Sequence, residues 1–216
     1  MLMVDEQNKA ANQGAITEGM LICVSGPSGV GKGTVIDAVK LLEPKLVHSI
    51  SVTTRAARAG EIDGVHYYFR SKDEFEEMLR NGEILEHDIY VENYYGTPAA
   101  PIEKYLKQGY DVIMDVTVPG SLATMAYFDD VITIFLLPPS LSELRGRLKR
   151  RGTESEQTID SRLLKAVDEI EMAPRFQYNV VNDDLDQTCL AIQAIIKAER
   201  YKSVRQPGIP EQILRL

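Results

Sequence analysis

Residues 26–34 read GPSGVGKGT, between a continuous apolar run (residues 20–25, MLICVS) and a stretch of helical periodicity, Lys32–Leu42. A strand that runs into glycines and then a helix leaves a row of backbone N–H groups converging on one point. The positive end of the helix dipole lies behind them. Gly26, Pro27, Ser28, Gly29, Val30, Gly31 and Lys32 fit the G-x-x-x-x-G-K start of a phosphate-binding loop. Gly33 stands at the usual Ser/Thr position, and Thr34 follows. Successive inward N–H groups need backbone conformations that only glycine adopts without strain. Lys32 would set a full charge against the β- and γ-phosphates of ATP, and Thr34 offers the hydroxyl that can hold Mg²⁺.

The rest of the chain continues the alternation. Residues 46–52, 111–116 and 131–137 read as further strands, the last two as apolar runs buried on both faces. Residues 140–150, 158–172 and 185–202 read as helices, and residues 179–181 begin a short last strand. This order predicts an α/β fold with a parallel core sheet covered on both faces. Residues 51–97 break the rhythm: they are rich in Tyr, Arg, Glu and Gly, with one helix near Lys72–Arg80. The stretch is too long for an ordinary connection and is expected to be an inserted subdomain. Residues 150–158 (RRGTESEQT) are polar and suit a lid, and residues 206–216 carry Pro207, Gly208 and Pro210 and are expected not to pack.

Charge narrows the partners. The net charge of −8 argues against general affinity for nucleic acid or an anionic membrane. Arg145, Arg147, Lys149, Arg150 and Arg151 nevertheless crowd together, which on an acidic chain suggests a small anionic ligand. Cys23 and Cys189 sit in apolar surroundings, as buried free thiols of a reducing compartment do. No apolar stretch approaches the ~20 residues that span a bilayer, and the start of the chain lacks the pattern of a secretory signal. The cytoplasm is therefore the expected location, and residues 1–19 the expected mobile tail. Monomer and homo-oligomer both stay open.

Several motifs in order resemble the guanylate kinase family: GPSGVGKGT (26–34), SVTTRAARAGEIDGVHYYF (51–69), ILEHDIYVENYYGT (84–97), PPSLSELRGRLKRRGTE (138–154) and VVNDDLD (180–186). The resemblance implies a three-layer P-loop NTPase fold over residues 20–203. Its core would be 20–50 and 98–203, with a GMP-binding insertion at 51–97, a lid at about 147–162 and a tail at 204–216. It implies ATP-dependent phosphorylation of GMP or dGMP, with Mg²⁺. Arg55, Arg58, Tyr67 and Tyr95 match positions that hold the GMP phosphate, a task suited to guanidiniums and phenols. Ser51, Glu86 and Thr97 match base-contacting positions, and Glu61 matches a further GMP-pocket position. Lys32, Arg147, Arg151 and Arg162 match the cations that surround the transferred phosphoryl group. Arg145, Lys149 and Arg150 fit a solvated helix face. Asp115 keeps the family's first acid, a carboxylate that can act near Mg²⁺ through water. Thr117 replaces a second acid that would face the GMP, and Pro119 replaces a glutamine. Two alternatives stay open: a related phosphotransferase with another acceptor, and a guanylate-kinase-like binding module.

Overall fold

The computed structural model describes residues 18–90, 92–150 and 155–215. Its first strand, β1 (Leu21–Ser25), is buried at every residue. The reason lies on its two faces. Ile22 and Val24 pack with Val35, Ile36 and Val39 of α1 (Lys32–Leu42) and with Ile192 and Ile196 of α7 (Leu185–Arg200). Leu21 and Cys23 pack on the opposite side with Ala99 and Ile102 of α3 (Ala99–Lys107). Ile22 and Ile36, both 0% exposed, each contribute roughly 1.5–3 kcal/mol of transfer free energy.

In chain order the remaining elements are β2 (Leu46–His48), β3 (Val52–Thr53), β4 (Tyr68–Phe69), α2 (Lys72–Arg80), β5 (Ile84–Tyr90), β6 (Asn93–Pro98), β7 (Asp111–Asp115), α4 (Val118–Tyr127), β8 (Val131–Leu137), α5 (Leu141–Arg150), α6 (Glu156–Glu171), β9 (Tyr178–Val181) and α8 (Ile209–Ile213). The core sheet runs β2-β7-β1-β8-β9 and is parallel throughout. A second sheet, β4-β3-β6-β5, is mixed and lies within the stretch that broke the alternation. Its helix α2 starts at a full capping box. Ser71 Oγ accepts the Glu74 N–H at 3.2 Å, and Glu74 Oε2 accepts the Ser71 N–H at 2.7 Å.

Three local expectations are corrected, and one helix is added where none was expected. The single strand expected at 46–52 is two, β2 in the core sheet and β3 in the second sheet. The Ser49 N–H still reaches the Ile113 carbonyl at 2.9 Å, after which the chain changes sheets, a break that a run of β-favouring residues conceals. Residues 118–127 form α4, although Pro119-Gly120 looks like a turn. Proline stands in the first turn of the helix, where no N–H partner is lost. α6 begins at Glu156, two residues before the expected start, because Ser155 caps it. Finally, the first residue of the segment expected not to pack is held: the Gln206 side chain donates to the Arg200 carbonyl at 3.1 Å. Just before it, Arg205 Nη2 lies 2.7 Å from Asp130 and 3.3 Å from Glu199. Of the expected tail at 1–19, only Glu18 and Gly19 are described; the Gly19 N–H donates to the Leu106 carbonyl at 2.8 Å. Among the described residues no helix is long and apolar enough to cross a membrane.

Candidate active site

The loop between β1 and α1 lies at the carboxyl end of the parallel sheet, where the neighbouring strand β7 delivers Asp115. Gly26, Gly29 and Gly31 have φ of 145°, 92° and 104°, values that side chains rarely adopt. Gly31 precedes α1, whose first turn has neither a side-chain cap nor an acidic residue. A helix start left bare in this way keeps its N–H groups for an anionic ligand. Ser28, Gly29, Gly31, Lys32, Gly33, Thr34 and Asp115 line a cavity of about 310 Å³ there.

Lys32 Nζ donates to the Gly26 carbonyl at 2.9 Å and lies 3.9 Å from Asp115 Oδ1. Asp115 keeps a third of its side chain exposed. The protein packed around it still raises its carboxyl above the ordinary range, while Lys32 and His48 pull the other way. Arg162 reaches across from α6, and its Nη2 donates to Ser28 Oγ at 2.5 Å.

Arg147 departs from the role of a mobile lid cation. It rides on α5, whose Leu144 and Leu148 are buried. Its guanidinium donates to the Val30 carbonyl at 3.0 Å, the Asn182 carbonyl at 2.9 Å and Glu143 at 3.2 Å. Asn182 Nδ2 donates to the same Val30 carbonyl at 2.8 Å. Two donors on one carbonyl fix the Val30–Gly31 peptide from behind. Asn182 is thus a loop-supporting residue that the sequence does not single out, although it lies within the family-like run 180–186. Arg145 pairs with Glu156 and Asp160, Lys149 with Glu156 and Arg150 with Glu143. The Arg145 and Lys149 pairs join α5 to α6, the Arg150 pair lies within α5, and all are solvent-screened surface contacts. Arg151 and the rest of the lid centre, 151–154, lie outside the described residues.

The second sheet assembles a different group. Arg55 is bidentate to Glu61, Nη1 to Oε2 at 2.9 Å and Nη2 to Oε1 at 2.8 Å, and the Arg58 N–H adds a bond to Oε2 at 2.7 Å. The Arg55 side chain, with help from the Arg58 N–H, pulls the Glu61 carboxyl from 4.5 down to about 2. Its contribution to stability is therefore present above about pH 4.5 and is lost as pH falls toward 2. The Arg55 guanidinium stands 5.4 Å over the Tyr67 ring, and Tyr67 meets Tyr95 edge-on at 6.0 Å. Arg55, Glu61, Tyr67 and Tyr95 thus form one cluster, in which Glu61 acts on Arg55. Thr53 Oγ1 accepts the Arg55 N–H at 3.2 Å and ties its backbone to β3.

Glu86 of β5 and Thr97 of β6 are paired in register, and the Thr97 hydroxyl donates to Glu86 Oε1 at 2.6 Å. Burial raises the Glu86 carboxyl above its ordinary 4.5, and Thr97 opposes the rise. Ser51 precedes β3, and its carbonyl accepts the Tyr68 N–H at 2.9 Å. Thr117 is exposed and caps α4, its hydroxyl accepting the Gly120 N–H at 3.2 Å. Capping uses its lone pair and leaves its proton for a ligand.

A bare helix start behind a lysine, set in a parallel sheet and joined to a separate cluster of cations, phenols and a carboxylate, places the chain among the P-loop nucleotide kinases. A family model described as guanylate kinase matches residues 18–199. The guanylate kinase of Lactococcus lactis is 48% identical over 184 residues, covering 85% of this chain and 90% of that one. The guanylate kinase of Bacillus subtilis is 47% identical over 188 residues, 87% of this chain and 92% of that one. A crystal structure of guanylate kinase from Anaplasma phagocytophilum superposes with a TM-score of 0.73 at 35% identity, over 92% of this chain and 95% of that one. The chain belongs to the guanylate kinase family.

Proposed function

We propose that this chain transfers the γ-phosphoryl group of ATP to GMP, giving ADP and GDP. The observation that carries this reading is the presence of two distinct anion-binding sets: the Lys32 loop with its uncapped helix start, and the Arg55 cluster beside the Glu86–Thr97 pair. A hydrolase needs only the first set; a kinase with a nucleotide acceptor needs both.

The ATP phosphates lie on the N–H groups of residues 29–34. Lys32 exchanges the Gly26 carbonyl for phosphate oxygens, and Arg162 exchanges Ser28. Arg147 acts mainly from behind, by holding the loop; Arg151 is a further lid candidate. Arg55, Arg58, Tyr67 and Tyr95 hold the GMP phosphate, and Glu61 positions Arg55. Ser51, Glu86, Thr97 and Thr117 surround the guanine, whose N1 and N2 protons suit a carboxylate acceptor. A GMP phosphate oxygen bonds to the γ-phosphorus as the bond to the β–γ bridging oxygen breaks, and that oxygen leaves with ADP. Such a transfer asks the protein mainly for alignment and charge neutralisation.

The donor set fits Mg²⁺. Thr34 and Asp115 share the cavity, and among the described residues no three His, Cys, Asp or Glu side chains form a cage. One carboxylate and one hydroxyl beside phosphate oxygens are the ligands Mg²⁺ commonly takes. When bound, it would neutralise charge on the β- and γ-oxygens. Purine nucleotide metabolism in the cytoplasm fits the two buried free thiols; burial pushes the Cys23 thiol up to about 12. The function is tested by coupled ADP release with GMP, dGMP, IMP, AMP, CMP and UMP. GMP is expected to give the highest kcat/KM, and AMP less than about a hundredth of it. Equal rates with AMP and GMP would overturn the acceptor assignment.

Glu86 also predicts a pH dependence. Its raised carboxyl means that the folded chain holds this proton more tightly than the unfolded chain does, and this contribution to stability fades as pH rises from about 4.5 through the raised value. Guanine N–H donors need the ionised form. KM for GMP is therefore expected to fall as pH rises above 4.5 and Glu86 ionises. The GMP phosphate itself ionises near pH ~6, so Glu86→Gln serves as the reference. The ratio of wild-type to variant KM isolates Glu86, and a ratio that does not change with pH would contradict its role.

A further inference from the structure

Gly120 stands in the first turn of α4, at a helical position where alanine is the favoured residue over glycine. Space explains the glycine. A Cβ on Gly120 would lie 2.7 Å from Glu86 Oε2, 3.1 Å from Cδ and 3.2 Å from Cγ. All three nearest atoms belong to the Glu86 side chain.

Neither partner can step back freely. The Gly120 N–H is tied to Thr117 Oγ1 at 3.2 Å, and its carbonyl accepts the Thr124 hydroxyl at 2.9 Å. On the other side, Glu86 Oε1 takes the Thr97 hydroxyl at 2.6 Å, and Thr97 is 1% exposed. The carboxylate is held between a fixed hydroxyl and a bare Cα.

We propose that Gly120 is a specificity-determining positioning residue: its missing side chain lets the first turn of α4 set the angle at which the Glu86 carboxylate meets the guanine edge. This rests on the reading of Glu86 as the guanine acceptor. An added methyl group turns the carboxylate away, and hydrogen bonds weaken steeply with misalignment. The phosphate-binding residues and the ATP loop are untouched by that change.

Gly120→Ala is expected to raise KM for GMP about tenfold and to reduce the GMP-over-AMP preference, with KM for ATP within about twofold. Glu86→Asp withdraws the carboxylate by one methylene. Adding Gly120→Ala to Glu86→Asp is therefore expected to change KM for GMP by less than about twofold, a coupling that a purely structural role would not produce. Thermal melts accompany each variant. If Gly120→Ala alone does not fold but Gly120→Ala/Glu86→Asp does, the clash with Glu86 is confirmed. If neither folds, or if the two changes act independently, the proposal is overturned. Glu86→Gln separates this idea from the one beneath it. Loss of guanine preference in Glu86→Gln, with a wild-type KM for GMP in Gly120→Ala, overturns the role of Gly120 alone. An unchanged preference in Glu86→Gln overturns both.

Discussion

Lys32→Met is expected to lower kcat for GMP phosphorylation by about a thousandfold while the chain stays folded. Methionine keeps the length of the aliphatic stem and removes the charge. In the free protein that charge rests on the Gly26 carbonyl at 2.9 Å and faces Asp115 at 3.9 Å. The loop does not owe its shape to this contact. Its path is set by Gly26, Gly29 and Gly31 at positive φ, and by Arg147 and Asn182 on the Val30 carbonyl. The melting temperature should therefore move by less than about 4 °C. Asp115 loses a neighbouring cation, so its carboxyl rises further and weakens any bound metal. The loss should fall on kcat more than on KM for ATP, because negative charge shifts within the phosphates as transfer proceeds. Initial rates beside a melt check this. A kcat within about tenfold of wild type would remove Lys32 from the phosphates.

Arg55→Met should raise KM for GMP about a hundredfold and leave KM for ATP within about twofold. A charge-assisted hydrogen bond contributes roughly 1.5–3 kcal/mol, and about 2.8 kcal/mol is a hundredfold in affinity. The substitution also strips Glu61 of its bidentate partner. A carboxylate then faces the incoming phosphate with less compensation, which adds repulsion to the lost attraction. Arg55→Lys should recover little, since an ammonium cannot reproduce the fork or the stacking on Tyr67 at 5.4 Å. Equal rises in both Michaelis constants would contradict two separate nucleotide sets.

What could be read from the sequence was local and periodic. Runs buried on both faces, such as residues 20–25 and 131–137, announce parallel strands because no polar alternation interrupts them. Glycines around Lys32 announce a phosphate cradle because few other structures need that backbone. Arg55, Glu61, Tyr67 and Tyr95 were named from motif resemblance, but the bidentate pair that makes Glu61 a partner of Arg55 depends on how the chain folds back after residue 58. Arg147 shows the limit most clearly. Spacing places it on one face of α5 but does not say that this face docks on the loop, so a lid role and a docked role look alike. The break between β2 and β3 is invisible because both halves favour extended backbone and only their sheet partners differ. α4 was hidden by Pro119-Gly120, a pair that punctuates turns and equally opens helices. The closeness of Gly120 to Glu86 joins residues 34 positions apart, and no local pattern carries it.

Direct transfer between two bound nucleotides would consume ATP and GMP together and release no free phosphate. Phosphorus NMR of the chain mixed with ATP, GMP and Mg²⁺ tests it without coupling enzymes. The ATP γ resonance is expected to be lost as ADP and GDP rise in equal amounts, with no matching growth of inorganic phosphate. ADP rising together with inorganic phosphate, and no GDP, would contradict it.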